Sequence, residues 1–300
     1  MGERDTWEDG FGPVERRIRR VWRGVRWHGK GLFGLRRRVL VEIRWRLGDE
    51  IMALPLYGAL AARHPNTEIH VRCTYPELLP KGVTPAGDDF DPDRYVYLRD
   101  DARDRNRIEH YARLAGVTVP TERPRVAASA SLASDWQAPA GSRVAIAPGA
   151  TWPTKRWSTE RWRALAETLT GDGYDVVVLG NAGEGIGAGR DRTGQTLVTD
   201  CARILSGADI CVSSDSGLMH LALAVGTPVV ALFGPTNPAI LVRDDPRLHA
   251  VTNERECRYC WNDSREMIEP GVCPRQIADC LGTIDVDTVL REVRIVLETR

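Results

Sequence analysis

Short apolar runs rich in β-branched residues alternate with segments of helical periodicity along most of this chain. That alternation confines the fold to an α/β class built on parallel sheets. In the first half, Val39–Trp45, Glu68–Cys73 and Tyr95–Leu98 read as strands. Helices are expected over Asp49–Arg63, with Pro55 in its first turns, and over Ile108–Leu114. A proline- and serine-rich passage, Val119–Pro139, reads as a linker, after which the rhythm restarts. Val144–Ala147, Asp175–Leu179, Asp209–Ser213 and Val229–Phe233 are the next strand candidates. Ser158 is placed to cap a helix in which Trp162, Leu165, Ala166 and Leu169 recur at i, i+3, i+4 and i+7. Further helices are expected at Gly217–Val225 and Val286–Leu297. Two α/β units in series make the cleft between them the expected ligand site. The corresponding division is a basic extension over 1–37, a first unit over 38–125 and a second over 126–300.

Charge is balanced overall, with 41 basic against 41 acidic residues, but it is unevenly spread. Between Phe11 and Arg46 twelve Lys or Arg face two Glu, a local excess of ten (12 − 2). Residues 14–28 place Val14, Ile18, Val21, Trp22 and Val25 at helical spacing among arginines, with glycines at 29, 31 and 34 expected to end the helix. This arm reads either as an arginine-rich helix packed on the body or as a membrane-surface or acidic-partner contact through residues 14–38. The acidic remainder argues against nucleic acid as partner. The acidic stretch Asp88, Asp89, Asp91 and Asp93 reads as a solvated loop. An acidic N-terminus without an apolar core is not a secretory signal, and the most apolar run, Leu218–Phe233, is broken by His220, Gly226 and Pro228. A cytoplasmic protein is expected, with a peripheral position at the inner membrane face left open.

Four strand ends carry residues suited to chemistry. In Ser213–His220 a strand gives way to a helix, where free N–H groups and the helix dipole suit a phosphate. Ser216 and Gly217 allow close approach there; Asp215 can cap the helix or accept from sugar hydroxyls, and His220 can touch phosphate or brace the loop. Lys155 and Arg156 follow the strand at Val144, either as a diphosphate contact or as a solvated basic pair. Glu184 lies after the strand at Asp175, where a carboxylate can hold ribose hydroxyls. Asp49 opens the first helix, either as a general base toward an acceptor hydroxyl or as an N-cap. Finally, Cys257, Cys260, Cys273 and Cys280 follow C-x2-C-x12-C-x6-C. Four thiolates suit a structural zinc or single iron; reduced thiols or a disulfide pair are the alternative, and four protein ligands would leave no open catalytic position.

The runs "RLGDEIMALP", "APGATWPTKRWSTERWRALAETL", "VVVLGNAGE" and "SSDSGLMHLALAVGTPVVALFGPTNP" together resemble the bacterial heptosyltransferases of glycosyltransferase family 9. The resemblance extends from about Arg38 to the C-terminus. It implies a GT-B fold, two Rossmann-like domains facing a cleft, and an inverting, metal-independent transfer from a nucleotide-sugar, usually ADP-heptose. Carried over by motif, Asp49 would be the base, Lys155 and Arg156 would meet the diphosphate, and Glu184 the ribose. Asp215 would hold the sugar, Ser216, Gly217 and His220 would form the phosphate end, and Leu218 and Met219 would belong to the same donor-binding stretch. The four cysteines resemble the iron-binding finger of autotransporter heptosyltransferases, which suggests one structural Fe or Zn and also a subunit or acceptor surface in a homo-oligomer. The first unit, Arg38 to about Val119, is reduced relative to the family, so the acceptor is left open among saccharide, protein and natural product. Two rival readings are the same fold with a UDP- or GDP-linked hexose, and a non-catalytic nucleic-acid-binding module using the arm and the finger.

Overall fold

The computed structural model describes residues 13–99, 102–128, 136, 142–277 and 279–299; residues 129–135 and 137–139 of the expected linker therefore lie outside the described residues. After helix α1 (Pro13–Leu32), the first sheet is built from β1 (Arg37–Glu42), β2 (Thr67–Arg72), β3 (Val83–Pro85) and β4 (Arg94–Tyr97), with α2 (Leu47–Arg63) and α3 (Arg107–Ala115). Its strand order is β3-β2-β1-β4 and every pairing is parallel, Val39 opposite Ile69 and Val41 opposite Val96.

The second sheet begins with β5 (Arg143–Ala147), α4 (Thr159–Gly171), β6 (Asp175–Val178), β7 (Arg190–Asp191) and α5 (Val198–Ser206). It continues through β8 (Ile210–Ser214), α6 (Gly217–Val225), β9 (Val229–Phe233), α7 (Pro238–Leu241) and β10 (Leu248–Thr252), and the last helix is α8 (Val286–Glu298). The order is β10-β9-β8-β5-β6-β7, again parallel throughout. The central strands β8 and β9 are buried along their whole length, as continuous apolar runs covered on both faces require.

Two cores follow. One, around Trp162, Ile146, Val212 and Val293, lies between the second sheet and the pair α4 and α8. The other runs without a break from the first sheet through α2 into α6 and α5, joining Ile51, Leu54, Met219 and Leu223. The two sheets thus share one apolar seam, and α2 against α6 is its centre. Pro55 is the ninth residue of α2, deeper than expected because the helix starts at Leu47. Its missing N–H forfeits a ladder bond; burial of Ile51, Leu54, Leu56 and Leu60 holds the helix regardless.

Two sequence expectations need correction. Helix α1 runs through Gly29 and Gly31 to Leu32, and of the three glycines expected to end it only Gly34, with a φ of +64°, lies in the left-handed turn that follows. At Gly31 the side-chain-free position admits the Arg37 guanidinium, which also lies 4.8 Å from the centroid of the Trp27 ring. The stretch Asp88–Asp93 is likewise not merely solvated. Asp93 is 1% exposed and takes Arg26 at 2.7 Å, Lys30 at 2.8 Å and the backbone N–H of Arg38 at 2.8 Å. The arm's cations dock it there.

Candidate functional site

Parallel strands direct the loops at their carboxyl ends to one side, and here the two sheets turn those ends toward each other. The cleft between them holds about 670 Å³ and is lined by Arg46, Asp49, Lys155, Glu184, Asp215 and His220 among others. Its floor is the meeting of two helix starts. A Cβ on Gly48 would lie 2.7 Å from Cδ2 of His220, and one on Gly217 would lie 2.8 Å from Cβ of Leu47. Glycine at both positions lets α2 and α6 touch at their first turns. Neither N-cap, Arg46 or Ser216, makes a side-chain cap bond. Both positive helix ends therefore open on one cavity, a setting that favours an anion.

On the second-sheet side, a short 3-10 turn over Pro153–Lys155 delivers Lys155 to the cleft. Its Nζ lies 2.6 Å from Oδ2 of Asp215, which also accepts from Thr236 Oγ1 at 2.6 Å. Burial would raise the Asp215 pKa, but the Lys155 charge and the hydrogen bonds from Lys155 and Thr236 hold it below the usual range. Asp215 is therefore neither a cap nor an unengaged sugar ligand. The helix N-cap is Ser216, whose Oγ sits 3.4 Å from that of Ser213.

Beneath them Ser214 Oγ donates to the carbonyl of Pro148 at 2.8 Å, tying the β8 and β5 loop ends together. Glu184 lies over Gly149 and Gly180, where no Cβ blocks it, and accepts from the Asn181 N–H at 2.7 Å and its Nδ2 at 3.2 Å. His220 is pushed down to about 4, mainly by burial, with Lys155 and Arg107 adding repulsion against the attraction of Asp215. It is the neutral imidazole that faces the cleft near pH 7.

Across the cleft Asp49 is the third residue of α2, not its N-cap. Its Oδ1 lies 3.3 Å from Arg107 Nε and 3.4 Å from Tyr111 Oη, both from α3. The Asp49 and Arg107 side chains, 11% and 10% exposed, line the cavity as a pair. The neighbouring Glu50 turns away and accepts the N–H groups of Thr74 at 2.8 Å and Tyr75 at 3.0 Å, bracing the β2 loop; burial raises its pKa.

Two expected residues lie elsewhere. Arg156 is exposed and folds back on its own loop, donating to the carbonyl of Ala150 at 2.8 Å. Met219 is fully buried in the apolar seam, because position 219 of α6 faces away from the cleft, whereas Leu218 lines it. Residues not anticipated are Arg46, Arg107, Tyr111, Trp152, Thr236 and Trp261. Trp152 is the platform of the lysine loop, with Lys155 Nζ 4.3 Å and the Arg46 guanidinium 5.8 Å from its ring centroid.

Behind Trp152 stands Trp261 of the cysteine segment, edge-on at 4.8 Å, with the Arg103 guanidinium 3.6 Å over its ring. Asn262 Nδ2 bonds the carbonyl of Arg103, so the cysteine segment ties the first unit to the lysine loop. The four thiols are free, and Cys257, Cys260 and Cys273 all act on Cys280, whose pKa is pushed up to about 12, chiefly by burial. Among the described residues, however, no three His, Cys, Asp or Glu side chains are disposed to hold a metal ion. The donor chemistry fits a thiolate metal, while the arrangement is not a closed ligand shell.

Comparison with known proteins agrees with this architecture. The family model for glycosyltransferase family 9 (heptosyltransferase) matches residues 100–268, more than half of the chain. The chain belongs to that family. Lipopolysaccharide heptosyltransferase 1 of Pseudomonas aeruginosa is 39% identical over 99 residues, 30% of this chain and 28% of that protein, so the match spans under a third of its length. The solved structure of the Escherichia coli ADP-heptose lipopolysaccharide heptosyltransferase II superposes with a TM-score of 0.66 at 20% identity, covering 87% of this chain and 99% of that one. TibC of enterotoxigenic Escherichia coli, an iron-containing dodecameric heptosyltransferase solved with ADP-D-β-D-heptose, gives a TM-score of 0.71 at 20% identity over 88% and 76%. At those identities the structures establish the shared GT-B fold.

Proposed function

We propose that this chain transfers a heptose from ADP-heptose to an acceptor hydroxyl with inversion at the anomeric carbon. The observation that carries the reading is the opposition, across one cleft, of the Asp49 carboxylate to the buried Lys155–Asp215 pair at the N-terminus of α6. In this reading Asp49 takes the proton from the acceptor hydroxyl as its oxygen bonds to the anomeric carbon. The bond from that carbon to the diphosphate breaks on the other side, and its electron pair leaves with the nucleotide. The ammonium of Lys155 and the first-turn N–H groups of α6 stabilise the departing negative charge. Glu184 holds the ribose, and neutral His220 offers a ring nitrogen without adding a charge. The support for ADP-heptose is family membership together with the ligand of TibC.

One structural iron or zinc at Cys257, Cys260, Cys273 and Cys280 belongs to the same reading, supported by the four-thiol set and by the iron of TibC. Its part is to stiffen the segment that carries Trp261; no chemical step passes through it. Elemental analysis of purified protein for iron and zinc tests it, and one equivalent lost on Cys280→Ser is the expected result. For the reaction, the test is release of ADP from ADP-heptose measured beside UDP- and GDP-hexoses. Preferential turnover of, and thermal protection by, the ADP-linked sugar is expected; equal or greater response to another nucleotide-sugar overturns the donor.

A further inference from the structure

Helix α1 is docked with its hydrophobic side outward. The side facing the body presents Trp27, packed edge-on to His64 at 5.1 Å, and the cations Arg26 and Lys30, both on the buried Asp93. Arg26 also bonds Asp91 at 2.8 Å and the carbonyl of Pro92. The opposite side leaves Val21 60%, Trp22 68% and Val25 58% exposed, and the helix's last residue and the turn after it leave Leu32 85%, Phe33 80% and Leu35 55% exposed. Solvent-facing helices normally show the reverse arrangement. The ion pairs on Asp93 fix this orientation, so an apolar stripe is left exposed by the described residues of the chain.

We infer that α1 and the turn 32–36 bind the surface of an anionic lipid bilayer. Three observations choose that occupant. The stripe is a ridge containing Trp22, set in a segment, residues 13–36, with eight Lys or Arg against one Glu; apolar side chains beside many arginines suit a layer with an apolar interior and negative headgroups. A second copy of the stripe is a poor partner, because it brings two basic helices together. The other strongly exposed apolar side chains among the described residues are few: Leu197, the loop pair Ile268 and Val272, and Ile295, on three different segments. Binding is at the surface, since no described helix is long and apolar enough to cross a bilayer. The docking groups of α1 precede β4, at the amino ends of the strands, so the helix lies at the far end of the first sheet from the cleft and leaves it open. The inference is independent of the reaction assigned to that cleft.

The test is co-sedimentation of the full chain with vesicles of phosphatidylcholine, alone or mixed with phosphatidylglycerol. Binding to the mixed vesicles, weak on phosphatidylcholine and reduced by salt, is the expected result. Trp22→Glu and Phe33→Glu should each lower partitioning by at least about tenfold, the loss of one buried aromatic, with unchanged melting temperature because both side chains are exposed. Absence of binding at low salt overturns the inference, and so does binding that both variants retain in full. An oligomer that Trp22→Glu dissolves, without vesicle binding by the parent chain, overturns it in favour of self-association.

Discussion

The ammonium of Lys155 and the carboxylate of Asp215 form a 2.6 Å ion pair in which the lysine is 13% and the aspartate 5% exposed. A pair so nearly enclosed is costly to break from one side, because the survivor is left as an unmatched buried charge. Asp215→Ala should therefore destabilise the chain by about 3 kcal/mol and weaken donor binding at least about tenfold. The double variant Lys155→Met/Asp215→Ala should recover part of the melting temperature while binding donor no better. Thermal unfolding of the three proteins checks this. A double variant less stable than either single one would show that the pair is not the controlling term.

Asp49 is clamped by Arg107 and Tyr111 from a different helix, so its position is set independently of substrate. Asp49→Asn keeps the shape and removes the proton-accepting charge. A fall in kcat of about 10²–10⁴-fold is expected, with donor affinity within a few-fold of the parent. Near-normal turnover would remove Asp49 as the base. Arg107→Ala should lower kcat by loosening the carboxylate, and Arg107→Lys should restore part of it.

Much of this architecture can be read from local signals, and the site less so. Continuous apolar runs marked β8 and β9, and the i, i+3, i+4 spacing marked α4 and its Ser158 cap, which accepts from the Arg161 N–H at 3.3 Å. Those cues lie within one element. The two-residue strand β7 and the edge strand β3 carry too little pattern to stand out. Arg107 and Tyr111 were invisible as site residues for another reason: nothing local says that α3 folds over Asp49 from 62 residues away. Helical spacing likewise groups Val21, Trp22 and Val25 on one face of α1, but which face docks was decided by Asp93, a contact 63 residues from Lys30. The signal that could have found Thr236 was present, since it follows β9 as Lys155 follows β5, at a strand's carboxyl end.

Gly48 and Gly217 set how closely the two helix starts meet. Gly48→Ala forces a methyl to within 2.7 Å of the His220 ring, and a few tenths of an ångström of helix separation would follow. A cost of about 1–3 kcal/mol is expected from such overpacking. Trimming the opposing ring should relieve it, so Gly48→Ala/His220→Ala should melt higher than the sum of the two single changes predicts. Strict additivity would mean that the strain is taken up elsewhere.

His220 makes the site acid-labile. Its pKa is lowered to about 4 in the folded chain, against about 6.5 for an unperturbed histidine. The unfolded chain therefore binds more protons between those values, and stability falls as pH drops from about 6.5 toward 4. Integrated over the window the effect is at most about 3 kcal/mol, all of it already present as stability above pH 6.5. His220→Gln keeps a polar, uncharged side chain and should flatten the melting temperature between pH 6.5 and 4.5 relative to the parent. Asp215 moves the opposite way in kind: its depressed pKa contributes stability that is lost only at lower pH, as the carboxylate protonates. The two effects therefore separate on the pH axis. A His220→Gln variant with the parent's slope above pH 4.5 would assign the acid sensitivity to another group.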